Sequence, residues 1–170
     1  MTADRKAALV AGLLYLLGMV AGILSVAPSV DGQDFLVAAA AHGTQVLRAA
    51  FFQAVMVPAY LGVALVLYPL LKRHGEGLAI GFVGFRVIAG AFILIGVILL
   101  PPMLAVSREF VSGATPGASH LQTLGGLLRT GRDLVNHVGM ILASSVGALL
   151  FYSLLVRAKL VPRWLSGWGL

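Results

Sequence analysis

The sequence predicts an all-α, polytopic transmembrane helical bundle with four spans. The chain is 59% hydrophobic and only 11% charged, with a mean hydropathy of +0.99, which is far from the composition of a soluble domain. Four apolar segments, at about 7–27, 46–71, 78–100 and 135–156, each reach the ~20 residues that cross a hydrocarbon core. Because irregular backbone cannot satisfy its hydrogen bonds there, we expect helices in one domain over residues 1–170.

The first span follows Arg5-Lys6 and contains Gly18-x-x-x-Gly22, a spacing that lets a neighbouring helix approach closely. Ser25-Val26-Ala27 resembles a signal-peptide cleavage site. The apolar run is longer than a signal peptide needs, and Pro28 follows the cut. We therefore expect a retained transmembrane helix.

The middle of the chain alternates apolar spans with turn signals. We expect a loop over 28–44 with a short helix at Phe35–Ala41, and then a second span that is kinked at Pro58. Lys72–Gly77 predicts a tight polar turn into the third span. Pro101-Pro102 should end or bend that span.

The last part of the chain is more polar before the fourth span. Met103–Gly117 contains charged residues, Gly and Pro, and a helix should begin near Ser119 and run on into the fourth span. Residues 162–170 start with a Pro and contain two Trp, which is typical of the opening of a further membrane helix. These residues form either an interfacial tail or the start of a fifth span, and we expect the second.

The basic residues are divided unevenly between the two sides of the predicted bundle. One side carries Arg5, Lys6, Lys72, Arg73, Arg157, Lys159 and Arg163, and the other carries Arg48, Arg108, Arg129 and Arg132. Since cytoplasmic loops are enriched in Lys and Arg, we expect the N-terminus and residue 170 on the cytoplasmic side of a bacterial inner membrane. The net charge of +6 therefore indicates topology, and no nucleic-acid partner is expected.

Arg86 is the clearest charge inside a predicted span. It lies eight residues after Leu78, or ~12 Å along a helix, where an unpaired charge costs several kcal/mol. No acidic residue is predicted at that depth. We expect Arg86 to contact Tyr15 and Tyr60 through their hydroxyls, either as a structural tie between helices or as part of a ligand-binding site.

A second polar group is predicted at the outer end of the bundle. Steps of three and four place several polar residues on one face of the fourth helix, with Arg129 and Asp133 spaced as an ion pair. The second span brings further polar residues to similar depth. The predicted outer pocket comprises Gln45, Arg48, Gln53, Arg129, Arg132, Asp133, Asn136 and His137. It would bind an anionic head group or carboxylate, or else seal the bundle as a polar network.

Metal and cofactor chemistry is not expected. The chain has no Cys, which excludes disulfides and thiolate ligands. Its four His residues do not match a zinc motif, and no two of them are predicted in different spans at one depth, as a haem with two His ligands requires.

Four stretches also resemble a known family: Ala8–Ser25, Leu65–Arg73, Gly81–Arg86 and, most specifically, Ala158–Ser166. Together they resemble a bacterial multi-pass membrane family catalogued as domain of unknown function 4386. The resemblance implies a helical membrane fold and no established activity. It also implies that the chain is the front part of a six-span protein. Members often have Glu three residues after the third-span Arg, where this chain has Ala89.

These observations predict a non-enzymatic membrane protein that binds a small anionic ligand or lipid, or that supports a membrane complex. The alternative is an integral membrane enzyme acting on a lipid or isoprenoid, with Arg48, Arg132, Asp133 and His137 as its polar site. The expected partners are the lipid bilayer, an anionic lipid or small molecule, and either a second copy of the chain or a larger assembly.

Overall fold

The computed structural model describes residues 3–113 and 118–159, and within these ranges the regular structure is helical. The α-helices are α1 (Ala3–Leu24), α2 (Phe35–Ala41), α3 (Gly43–Leu71), α4 (Glu76–Ser112), α5 (Ala118–Asp133) and α6 (Ile141–Ala158). A 3₁₀ turn at Pro28–Val30 precedes α2, and a π-helical segment at Leu134–Met140 joins α5 to α6. The predicted short helix Phe35–Ala41 is confirmed, and the predicted fifth span at 162–170 lies outside the described residues.

Four helical runs are long and apolar enough to cross a membrane. They are α1, α3, α4 and the continuous run Ala118–Ala158 that contains α5, the π-helical segment and α6. The prediction of an all-α bundle with four spans is therefore confirmed.

The four spans alternate in direction, which defines two ends of the bundle. One end, which we call the turn end, contains the turn at residues 72–75 between α3 and α4. Here Asp4 of α1 forms an ion pair of 3.5 Å with Arg73, and Leu154 of α6 lies beside Gly75. The opposite end, which we call the loop end, holds residues 25–42 and α5. The basic residues therefore separate between the two ends as the sequence predicts, apart from Arg163, which is not among the described residues.

Helix α4 is the centre of the bundle. It packs against α2, α3, α5 and α6, whereas α1 packs mainly against α3. In its most apolar stretch 39% of the residues are buried, against 17% in each of the other three spans. Residues on α4 are thus placed to contact most of the other elements.

Helix α4 does not end at Pro101-Pro102, and residues 103–112 continue the helix. It continues to Ser112 and stops at Gly113, whose φ of 62° is the left-handed conformation typical of a helix C-terminus. Met103 and Leu104 are buried in a core shared with α2 and α3. This burial stabilises the helix beyond the two prolines, because tertiary packing outweighs the low helix propensity of proline.

Close approach of α1 to α3 depends on Gly18. A Cβ atom at this position would lie 2.7 Å from the Tyr60 ring, and one at Gly22 would lie 3.7 Å from Met56. The predicted role of the Gly18-x-x-x-Gly22 spacing is therefore seen at Gly18, where a side chain would displace the aromatic ring.

Candidate functional site

Three adjoining cavities, which together we call the groove, lie along the bundle between α1 and α6, with α3 and α4 as their floor. The groove consists of a loop-end cavity of about 260 Å³, a middle cavity of about 310 Å³ and a turn-end cavity of about 370 Å³. Met56, Ile93 and Met140 line both the loop-end and the middle cavity. Tyr15 and Arg86 line both the middle and the turn-end cavity. The three cavities therefore adjoin one another along the bundle.

Arg86 occupies the junction of the middle and turn-end cavities. Its guanidinium carbon lies 5.5 Å from the centroid of the Phe82 ring and 5.9 Å from that of the Tyr60 ring, within the range of a cation–π contact. Its Nε is buried and has no hydrogen-bond partner. Within residues 3–113 and 118–159 no acidic side chain forms a salt bridge with it.

The two tyrosines that the sequence predicts beside Arg86 do lie there. Tyr15 and Tyr60 pack edge to face with their ring centroids 6.0 Å apart, and both line the middle cavity. Tyr60 meets Arg86 with its ring face and not through its hydroxyl as predicted. The Tyr60 ring lies against Gly18, and this packing presents the face of the ring to the guanidinium.

The loop-end cavity brings together half of the predicted outer pocket, namely Gln53, Arg132, Asn136 and His137. Asn136 and His137 belong to the π-helical segment, whose wider turn changes the direction of the following side chains. Asn136 approaches α4 at Gly96, where a Cβ atom would lie 2.5 Å from its Oδ1. The groove at this end thus depends on one glycine and one irregular helical turn.

Arg132 is the most buried charge in this cavity, with only 7% of its side chain exposed. Its Nη1 lies 3.0 Å from Asp31 Oδ1 and 3.6 Å from Asp133 Oδ1. Its Nε is buried without a hydrogen-bond partner. One buried guanidinium is therefore flanked by two carboxylates.

The predicted ion pair between Arg129 and Asp133 is wrong. Arg129 instead donates hydrogen bonds to the carbonyl oxygens of Asp31, at 2.5 Å, and Gly32, at 2.8 Å, and it lies over the Phe35 ring. Asp133 pairs with Arg132. Tertiary packing explains this difference from the prediction. The end of α5 packs beside residues 31–32, whose two carbonyl oxygens accept the hydrogen bonds of the Arg129 guanidinium.

Gln45 and Arg48 do not join the other predicted pocket residues. Neither lines the loop-end cavity, and Arg48 is exposed. Arg48 and Gln53 are five residues apart, which places them ~140° apart around a helix of 3.6 residues per turn. The sequence interpretation considered how deep Arg48 and Gln53 lie along α3, but not the direction in which each side chain points around the helix.

The structure adds two kinds of residue that the sequence interpretation left out of the site. Asp31 lines the loop-end cavity, and Met56 and Met140 form the apolar wall between two cavities. An acidic residue in a loop that faces an arginine-rich helix end was the available signal for Asp31. Nothing in the local sequence distinguishes the two methionines from ordinary core residues.

The charge balance of the groove differs from the predicted one. Arg132 and Arg129 lie beside Asp31 and Asp133, so these four residues carry no net charge and the loop-end cavity has no excess of positive charge. Arg86, in contrast, forms no salt bridge with an acidic side chain of residues 3–113 and 118–159. The described residues include no group of three or more His, Cys, Asp or Glu that could hold a metal ion.

Four apolar spans, of which α4 is the central one, with a groove that contains polar side chains between two of the others, define a polytopic α-helical membrane protein. The family model described as Domain of unknown function (DUF4386) matches residues 10–170, and the chain belongs to this family. No curated protein and no solved structure matches the chain.

Proposed function

We propose that this protein binds an anionic amphiphile, a lipid or small molecule with a carboxylate or phosphate group, and that the anion binds at Arg86. The observation that carries the proposal is the arginine itself. It is a charge inside a membrane span, lies against two aromatic rings, and has a buried Nε without an acceptor. Such charges are expensive in a membrane unless they are paired, and a bound anion would pair this one.

The surroundings of Arg86 support an amphiphile more than a small inorganic ion. The middle cavity is lined on α3 and α4 mainly by apolar side chains, among them Met56, Val57 and Ile93. An anion with an apolar chain would therefore bury the chain along the same groove, and burial of apolar surface contributes to its affinity.

The location belongs to the same proposal. We place the protein in a bacterial inner membrane with its turn end in the cytoplasm, because the Lys and Arg of residues 3–113 and 118–159 are more numerous at that end. A second copy of the chain or a larger membrane complex would have to leave the groove accessible.

An integral membrane enzyme acting on a lipid or isoprenoid is the second candidate. The observation that favours it is the contact of 3.2 Å between His137 Nδ1 and the Asp133 carbonyl oxygen. A carbonyl oxygen only accepts, so Nδ1 is the donor in this contact and Nε2 is the nitrogen left to exchange a proton with a substrate. In this case His137→Ala would abolish turnover and leave binding of the amphiphile unchanged.

Binding of lauric acid to the purified protein in detergent tests the main proposal by isothermal titration calorimetry. Arg86→Met keeps the volume and removes the charge. We expect it to weaken binding about 10- to 100-fold, the effect of one charge-assisted hydrogen-bonding partner. Saturable binding of the same affinity to this variant would refute the proposal.

Ala89 offers a matched pair of variants that leave Arg86 in place. It is buried, lines the middle cavity and lies three residues after Arg86 on α4, which is the spacing of a helical ion pair. Ala89→Glu should supply an internal carboxylate to Arg86 and abolish binding of lauric acid. Ala89→Gln has the same size without the charge and should retain more affinity. Equal affinities of the two variants would contradict an anion site at Arg86.

A further inference from the structure

The loop-end cavity contains two buried polar atoms that the protein leaves unpaired. Among the described residues, neither Arg132 Nε nor Gln53 Oε1 has a hydrogen-bond partner, and both residues line this cavity. Arg132 is more than nine-tenths buried. Unsatisfied buried polar atoms are uncommon and call for a partner, and a rotation of either side chain towards the cavity would bring its unpaired atom within reach of a polar group there.

The chemistry of these two atoms defines the group that they would bind. Arg132 Nε is a donor and Gln53 Oε1 is an acceptor. The charge of Arg132 is already balanced by Asp31 and Asp133, so an anion gains little here. A hydroxyl or amide group both donates and accepts, and it satisfies both atoms without introducing a charge.

The spacing along the groove connects this cavity to Arg86. Gln53 and Tyr60 lie seven residues apart on α3, and Arg86 and Ile93 lie seven residues apart on α4, which corresponds to ~10 Å along each helix. The wall between the two polar positions consists of Met56, Ile93 and Met140. Two of these are methionines, whose flexible side chains adapt to an apolar chain.

We infer that the ligand is an acyl-type amphiphile with two polar groups, namely an anion at Arg86 and a hydroxyl or amide group ~10 Å away at Gln53 and Arg132. This inference rests on the proposed function, because it assigns the second group of the molecule that Arg86 binds. The apolar chain between the two groups passes the methionine wall.

A chain-length series tests the inference. Binding of ω-hydroxy fatty acids of increasing length is compared with binding of the unsubstituted acids of the same lengths, using the purified protein in detergent and isothermal titration calorimetry. At the length that spans the two sites, the hydroxyl should improve affinity about 25-fold, since each of its two hydrogen bonds contributes about fivefold. Shorter and longer members of the series should gain nothing from it.

Two matched variants on α3 locate the effect. Gln53→Met removes the acceptor at similar volume, and it should remove about a fivefold part of the gain, the part due to one hydrogen bond, while leaving affinity for the unsubstituted acids unchanged. Gln45→Met makes the same change on the same helix outside the cavity lining, and it should keep the gain. Arg86→Met should weaken the binding of both series.

The outcomes separate the two proposals. If hydroxylated and unsubstituted acids bind equally at every length, the second site is refuted and the anion site stands. If Gln45→Met reduces the gain as Gln53→Met does, the assignment to the loop-end cavity is refuted. If neither series binds, or if Arg86→Met leaves both unchanged, the proposed function itself fails. The series on the unmodified protein decides the question even if a variant does not fold.

Discussion

Substitution of Gly96 by Ala perturbs the loop-end cavity through a single methyl group. The new Cβ would lie 2.5 Å from Asn136 Oδ1, 3.0 Å from its Nδ2 and 3.1 Å from its Cγ. Ordinary contact begins at 3.4 Å, so the Asn136 amide has to move by roughly 0.9 Å. Because Asn136 belongs to the π-helical segment, the strain should reach the wall of the groove.

The size of the effect follows from two opposing terms. Overpacking of a well-packed site costs about 1–3 kcal/mol, whereas replacing Gly by Ala inside a helix contributes about 1 kcal/mol of stability. Gly84 provides the control, because it lies on the same helix and a Cβ there meets nothing within 4 Å. Since both substitutions gain the helix term, the difference between the two variants isolates the clash. We expect Gly96→Ala to be less stable than Gly84→Ala by about 1–3 kcal/mol.

The free energy of unfolding of the two variants in mixed micelles, measured by titration with a denaturing detergent and followed by circular dichroism, checks this value. A second measurement is the affinity for ω-hydroxy fatty acids, which Gly96→Ala should lower and Gly84→Ala should not. Equal stability of the two variants would show that Asn136 moves without a cost in free energy. The close packing of the π-helical segment on α4 would then not contribute to the stability of the protein.

Two further predictions concern the loop end. Asp31→Asn should lower the free energy of unfolding by about 1–2 kcal/mol, because Arg132 loses one charged partner and solvent screens the half-exposed Asp31 only in part. The control is Asp34→Asn, whose side chain makes no capping hydrogen bond and which should change this free energy by less than about 0.5 kcal/mol. Equal effects of the two substitutions would refute the ion-pair argument. Single cysteines test the orientation: one at Gly32 should react in intact cells with a membrane-impermeant thiol reagent and one at Gly75 should not, so labelling at Gly75 would reverse the proposed topology.

The groove has a simple physical origin in the packing order of the helices. Helix α1 packs mainly on α3, and α6 packs on α4, so the space above the α3–α4 contact stays open between the two outer spans. The polar side chains lie in the loop-end cavity and around Arg86, at the junction of the middle and turn-end cavities, with the apolar Met56, Ile93 and Met140 between them. This distribution is why an amphiphile fits the groove better than a uniformly polar solute.

The spans and the division of charge between the two ends could be predicted from the sequence because both depend on composition along one helix. A run of about 20 apolar residues is sufficient to specify a membrane helix. Arg86 was found the same way, since a charge within such a run stands out without knowledge of its neighbours. The short helix at Phe35–Ala41 follows from local pattern as well.

The contacts of the site could not be predicted in this way. Arg48 and Gln53 point in different directions around α3 although they are close in sequence. Arg129 donates hydrogen bonds to the carbonyl groups of residues 31–32 and not to the Asp133 carboxylate one turn away. The path of α4 beyond Pro101-Pro102 depends on burial against α2 and α3.

What the sequence by itself determined is thus the class of protein, its four spans and the presence of a charge that requires explanation. Only the tertiary structure decided that Arg132 is neutralised by Asp31 and Asp133 while Arg86 is not. The physical reason is that hydropathy and helical period act within a single segment. The net charge of a cavity depends on which side chains from several segments share it, and that is settled by helix packing.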